Sequence, residues 1–212
     1  MLATLDTGPL DVCCRLLLAH GAGAPMDSPF LETVAAMLAT NGIAVTRFEF
    51  PYMAARRDGG KKRPAPKAES LVRDYASAID FVLRRSKPGT RLFIGGKSMG
   101  GRVASLMAGD AYARQDIAGL VCFGYPFHPP AKPAQLRTAH LMTLACPTLI
   151  VQGIRDPLGS QAEVEALPLP PAIRFHWAPD GDHDLRPRGR SGFTQRHNLE
   201  AAADAVAAFV RG

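Results

Sequence analysis

Long apolar runs are missing from this 212-residue chain. No segment approaches the roughly 20 consecutive apolar residues that a bilayer-spanning helix needs. The start, Met1-Leu2-Ala3-Thr4-Leu5-Asp6, has neither the charged leader nor the apolar stretch of a secretion signal. Cysteine is scarce too. Cys13, Cys14, Cys122 and Cys146 lack the paired spacing of metal sites, so reduced, mostly buried thiols are expected. These absences together predict a cytoplasmic protein with no membrane partner. Internal repeats are absent, and the alanine richness is not low complexity. Charge is not concentrated either: the net +6 is spread out rather than lined along one helix, which argues against nucleic acid as a partner.

What is present is enough apolar material, 47% of residues, for one substantial core, and two domains would each be marginal. A single domain over 1–212 is therefore expected. Short apolar runs rich in β-branched residues alternate with amphipathic helical patterns, the signature of a mainly parallel, doubly wound sheet. About six strands are expected, at 15–20, 43–50, 91–95, 117–123, 148–152 and 173–177. Ser28-Pro29 starts the first helix and Asn41-Gly42 stops it. Leu71, Tyr75, Ala78, Ile79 and Val82 mark the next, Val103, Leu106 and Met107 a third, and Leu199, Ala202, Ala203, Val206, Phe209 and Val210 a terminal one. Glycines, prolines and like charges make 56–67 a loop. The stretch between 123 and 148 has room for a helix or two but no large lid domain.

The chemistry centres on Gly96-Lys97-Ser98-Met99-Gly100, which falls where a strand passes into a helix. A serine hydroxyl needs a base to become nucleophilic, and a tight strand-to-helix turn lifts it to where a base can reach. Gly96 and Gly100 remove the side chains that would collide there. Gly96-Lys97-Ser98 also looks like the end of a phosphate-binding loop, but Arg91 stands where that motif needs its first glycine. Asp156, in Gly153-Ile154-Arg155-Asp156-Pro157, and His183, in Asp180-Gly181-Asp182-His183-Asp184, each follow their own strand. An Asp-Pro turn or a histidine among aspartates needs no catalytic role when taken alone. The order nucleophile, acid, base points jointly to Ser98, Asp156 and His183 as a catalytic triad. The Met99 and Ala22 amides are the expected oxyanion donors, Ala22 lying in the loop His20-Gly21-Ala22-Gly23-Ala24.

His20, Gly21, Gly23, Lys97, Tyr125 and His128 are candidate substrate contacts, with a proline-pinned structural loop the competing reading for His128. His140 reads as structural. Asp180, Asp182, His183 and Asp184 lack a ligand spacing that fixes geometry, so no metal is expected. The basic loop 56–67 leaves a strand's C-terminal end, so it either keeps the protein soluble or draws an anionic substrate, or an acidic partner, towards the site.

Leu18-Ala19-His20-Gly21-Ala22-Gly23, Gly96-Lys97-Ser98-Met99-Gly100-Gly101-Arg102, Gly124-Tyr125-Pro126-Phe127-His128-Pro129 and Gln152-Gly153-Ile154-Arg155-Asp156 resemble dienelactone-hydrolase-related proteins of the KANL3/Tex30 type. The resemblance covers nearly the whole chain. It implies the α/β-hydrolase fold and carries Ser98, Asp156 and His183 over as the triad. Little room is left before Arg15 for the leading antiparallel strands of larger hydrolases. The combined expectation is a cofactor-free serine hydrolase acting on a small ester or thioester through an acyl-enzyme. The alternative is a hydrolase-fold scaffold that acts through its surface.

Overall fold

In the computed structural model, which describes residues 2–9, 11–57, 59–60 and 64–212, the strongest apolar segments form the middle of one sheet. β1 (Thr4–Thr7), β2 (Cys14–Ala19), β3 (Ala44–Phe48), β4 (Arg91–Lys97), β5 (Gly119–Phe123), β6 (Thr148–Gly153) and β7 (Ile173–Ala178) pair in the order β1-β3-β2-β4-β5-β6-β7. Every pairing is parallel except β1 with β3, where Thr4 faces Phe48 and Thr7 faces Val45. Both sheet faces are covered, so the central strands carry apolar side chains on both sides. Along β2, Leu17 and Ala19 enter one core cluster while Leu16 and Leu18 enter the other.

α1 (Pro29–Thr40) and α6 (Gln195–Arg211) cover one face, packing Leu31, Val34 and Leu38 beside Leu199, Val206 and Val210. α3 (Val72–Arg85) and α4 (Met99–Ala113) cover the other, with Tyr75, Ile79, Val103 and Met107 buried there. Each fully buried Leu, Ile or Val contributes roughly 1.5–3 kcal/mol. Tyr75 adds a polar tie: its hydroxyl lies 2.9 and 2.6 Å from the Leu17 and Gly95 carbonyls and accepts the Gly95 N–H at 2.9 Å.

Three expectations need correction. Among the described residues there are seven strands, not six: β1 is short and only half-buried, so it has no apolar periodicity to announce it. It is held by its partner, through Asp6 accepting from the Thr46 hydroxyl at 2.6 Å. Arg56 and Arg57 belong to a helix, α2 (Pro51–Arg57), rather than to a loop; Asp58, Lys61, Lys62 and Arg63 lie outside the described residues. Between β5 and β6 stands a single 3₁₀ turn, Ala139–Leu141, because Pro126, Pro129, Pro130 and Pro133 oppose helix. The short α5 (Gln161–Glu165) follows β6, opened by a capping box between Ser160 and Glu163.

The chain moves from β2 outward to β3, then crosses back to β4 on β2's other side. That reversal opens a crevice at the carboxyl ends of β2 and β4, where open α/β sheets place their sites.

Candidate active site

β4 delivers Ser98 into that crevice. The residue takes φ 52° and ψ −115°, a strained conformation for a side chain-bearing residue. Close backbone approach explains the flanking glycines. A Cβ on Gly96 would stand 2.4 Å from the Ala19 carbonyl oxygen, and one on Gly100 would stand 2.5 and 2.6 Å from those of Ala19 and His20. The turn is stitched to β5 by the Ser98 N–H donating to the Phe123 carbonyl at 2.9 Å.

Asp156 follows β6 and is fully buried. Its Oδ1 accepts the Leu158 N–H at 2.8 Å, and its Oδ2 accepts from Gln152 Nε2 at 3.0 Å and lies 2.7 Å from His183 Nδ1. With Asp156 as carboxylate, Nδ1 carries the proton and His183 Nε2 is left as the basic nitrogen. The His183 loop is strapped against β6, with the Arg155 N–H donating to the Gly181 carbonyl at 2.8 Å. Gly153 makes room for this, since a Cβ there would fall 2.2 Å from the Asp182 carbonyl oxygen. Among the described residues the Ser98 hydroxyl has no hydrogen-bond partner, His183 included. Such bonds commonly tighten only once substrate is bound.

Ala22, Ser98 and Met99 line one open cavity of about 470 Å³. Met99 starts α4, so its N–H has no intrahelical acceptor and is available to an anion. The Ala22 loop is held by the Tyr52 hydroxyl donating to the Ala22 carbonyl at 3.0 Å. A larger hollow of about 600 Å³ opens beside Arg91 and Tyr112, at the opposite end of the sheet from Ser98.

The candidate substrate contacts separate. Gly21 sits near the nucleophile: a Cβ there would be 3.9 Å from that of Ser98. Gly23 is exposed, with open space around it. His20 is fully buried, its Nδ1 2.7 Å from the Gly21 carbonyl oxygen and its Nε2 accepting the Phe50 N–H at 3.2 Å. Burial pushes its pKa below the ordinary histidine value. Tyr125 is equally buried, its hydroxyl donating to the Arg137 carbonyl at 2.9 Å. His128 is nearly so, with Nδ1 2.9 Å from the Pro129 carbonyl oxygen and Nε2 3.7 Å from Glu163. All three side chains are engaged within the scaffold, and none is among the described residues that line the cavity at Ser98.

Lys97 is also buried, and its ammonium donates to the His183 carbonyl at 2.7 Å while pairing with Asp184 at 3.3 Å. Burial lowers its pKa, opposed by Asp184 and Asp156. It holds the His183 loop rather than lining the cavity. The acidic residues around His183 are similarly committed. Asp180 pairs with Arg155 and Arg188, and its carboxyl is held at about 2, chiefly by hydrogen bonds from Arg188. Asp182 accepts the Asp184 and Arg186 N–H groups. Among the described residues no group of three or more His, Cys, Asp or Glu side chains could hold a metal ion.

Gln152 was not anticipated. Fully buried at the end of β6, it accepts the Tyr125 N–H at 2.7 Å and donates to Asp156, joining the β5 and β6 ends of the site. A glutamine amid Thr-Leu-Ile-Val was the available signal, because a buried amide must be satisfied.

Sheet order, elbow and the crevice at the carboxyl ends define an α/β hydrolase. The chain belongs to the family described as Abhydrolase_11, alpha/beta hydrolase domain, whose model matches residues 12–211. Solved structures share the fold over nearly the whole chain. An α/β serine hydrolase homologue from Coxiella burnetii is 20% identical, with a TM-score of 0.73, covering 99% of this chain and 90% of that one. Dienelactone hydrolase from Anabaena variabilis is 23% identical, with a TM-score of 0.72 and coverages of 98% and 90%. An α/β serine hydrolase without a lid from Xanthomonas campestris is 18% identical, with a TM-score of 0.63 and coverages of 99% and 94%. Among the described residues no helix is long and apolar enough to cross a membrane.

Proposed function

We propose that this protein is a serine hydrolase that cleaves a carboxylic ester or thioester of a small soluble substrate, with Ser98 as nucleophile, His183 as base and Asp156 as its orienting acid. The observation that carries this reading is the Asp156–His183 contact of 2.7 Å, taken with a serine held in a strained elbow at the same sheet edge. Ser98 Oγ attacks the carbonyl carbon while His183 Nε2 takes its proton. The tetrahedral oxyanion rests on the Met99 and Ala22 amides. Collapse expels the alcohol or thiol, which receives that proton from His183, and leaves an acyl-Ser98 ester. Water, deprotonated by His183, then attacks the acyl-enzyme and releases the acid. Every step uses side chains and amides of this chain, and none calls for a cofactor.

Within the family, the motifs around Ala22, Ser98, Tyr125 and Asp156 favour a KANL3/Tex30-type relative. Four free cysteines favour a cytoplasmic location. A second reading, a hydrolase-fold scaffold, is favoured by one observation, the unpartnered Ser98 hydroxyl. Turnover of p-nitrophenyl acetate, p-nitrophenyl butyrate and acyl thioesters separates the two. A burst of one p-nitrophenol per protein is expected, and Asp156→Asn should lower kcat by about 10²–10⁴. Turnover indifferent to Asp156→Asn would refute the triad. No turnover, together with a protein that co-purifies stoichiometrically, would favour the scaffold.

A further inference from the structure

The cavity at Ser98 is short of negative charge. Lys67, Arg102 and Arg137 line it, with Glu69 as the one acid among its described lining residues. Arg102 stands one helical turn beyond the nucleophile, its N–H donating to the Ser98 carbonyl at 3.0 Å. That spacing places it about 5.4 Å further along α4. Its Nη2 pairs with Glu69 at 2.5 Å, while its Nε is buried without a hydrogen-bond partner.

Arg137 is anchored by its backbone, its N–H donating to the Phe127 carbonyl at 2.7 Å and its carbonyl accepting the Tyr125 hydroxyl at 2.9 Å. Its half-buried guanidinium has no carboxylate or hydrogen-bond partner among the described residues. Burial and the neighbouring charge of Arg102 both lower its pKa, opposed by Tyr125 and Glu69. A partly desolvated guanidinium with no carboxylate in hydrogen-bond reach is free to take up an anionic ligand. Guanidinium is also the group best shaped to grip a carboxylate or phosphate with two parallel hydrogen bonds.

Which part of a substrate lies here follows from His183, which protonates the leaving group and is not among the described residues lining the cavity. The cavity therefore takes the acyl side. Resting on the assignment of Ser98 as nucleophile, we propose that Arg137, with Arg102, forms a subsite for an anionic group on the acyl chain, a carboxylate or phosphate a few bonds from the scissile carbonyl. Lys67 brings the end of the basic stretch 56–67 to the same cavity wall. Arg57 of that segment is already committed to Glu49 and Asp27.

The decisive experiment pairs binding with turnover. Glutarate and inorganic phosphate are titrated by calorimetry into the folded Ser98→Ala protein, with and without Arg137→Gln. In parallel, kcat/KM is compared between p-nitrophenyl hemiglutarate and p-nitrophenyl valerate, acyl chains of matched length. Saturable binding is expected, weakened about 10- to 100-fold by Arg137→Gln, with the hemiglutarate-to-valerate ratio falling by a similar factor. The tighter of the two anions identifies the group. Absence of glutarate and phosphate binding, or binding indifferent to Arg137→Gln, overturns the subsite whatever Ser98 does. Arg137-dependent binding in a protein that turns over neither ester upholds the subsite and overturns the assignment of Ser98.

Discussion

Replacing Lys97 with methionine tests how the base is held. The Lys97 ammonium donates to the His183 carbonyl at 2.7 Å from a buried position, and its bond to Asp184 at 3.3 Å involves a carboxylate side chain that is 47% exposed. The first contact is charge-assisted and worth about 1.5–3 kcal/mol. The second is screened and adds at most about 1 kcal/mol. Methionine matches the stem in length and no longer has to desolvate a cation, so the net loss of stability should be about 1–2 kcal/mol, readable as a lower urea midpoint at unchanged m-value. The larger effect belongs to catalysis. With its carbonyl released, His183 loses one of the contacts that fix its loop, and misplacement of a base by about 1 Å costs on the order of 100-fold. Lys97→Met should lower kcat for p-nitrophenyl butyrate about 10- to 100-fold and leave KM within twofold. Lys97→Gln, which keeps a donor, should recover part of the loss. A rise in KM at unchanged kcat would refute this reasoning and return Lys97 to the role of substrate contact.

The glycine argument is checked by two alanines. Gly100→Ala puts a Cβ against two backbone oxygens and should cost about 3 kcal/mol or more, whereas Gly23→Ala enters open space and should stay within about 0.5 kcal/mol, as judged by thermal unfolding. A pH prediction follows from His140, whose pKa burial lowers from 6.5 to about 4. In that window the unfolded chain binds more protons, so its contribution to stability is complete above about pH 6.5 and is lost as pH falls towards 4. Solvent screening of the part-exposed ring leaves about 1–2 kcal/mol of that dependence. His140→Gln should flatten the wild-type slope between pH 4 and 6.5; an unchanged slope would show that the ring titrates normally.

The parts of the fold visible in the sequence are those set by local pattern. Leu16, Leu17 and Leu18 announce a strand buried on both faces, Ser28-Pro29 opens α1, and Gly96 with Gly100 marks the elbow. Asp156 and His183 were legible because each comes just after a strand end, and the sheet brings those ends together. What stayed hidden depends on partners distant in the chain. His20 looks like a site residue until the Phe50 N–H, 30 residues on, takes up its Nε2. The burial of Tyr125 and His128 was hidden for the same reason, being decided by packing and not by their neighbours in sequence. Arg137 gives no signal in its own segment and acquires meaning only when the chain between β5 and β6 carries it to the cavity that Arg102 also lines.

The most direct test of the central claim is peptide mass mapping of the folded protein after treatment with a fluorophosphonate, alongside Ser98→Ala and His183→Gln. One adduct on Ser98 is expected in the wild type, none in Ser98→Ala, and labelling slowed by at least about 10³-fold in His183→Gln. A folded wild-type protein that takes up no label, or takes it up at another residue, would contradict the assignment of Ser98 as the nucleophile.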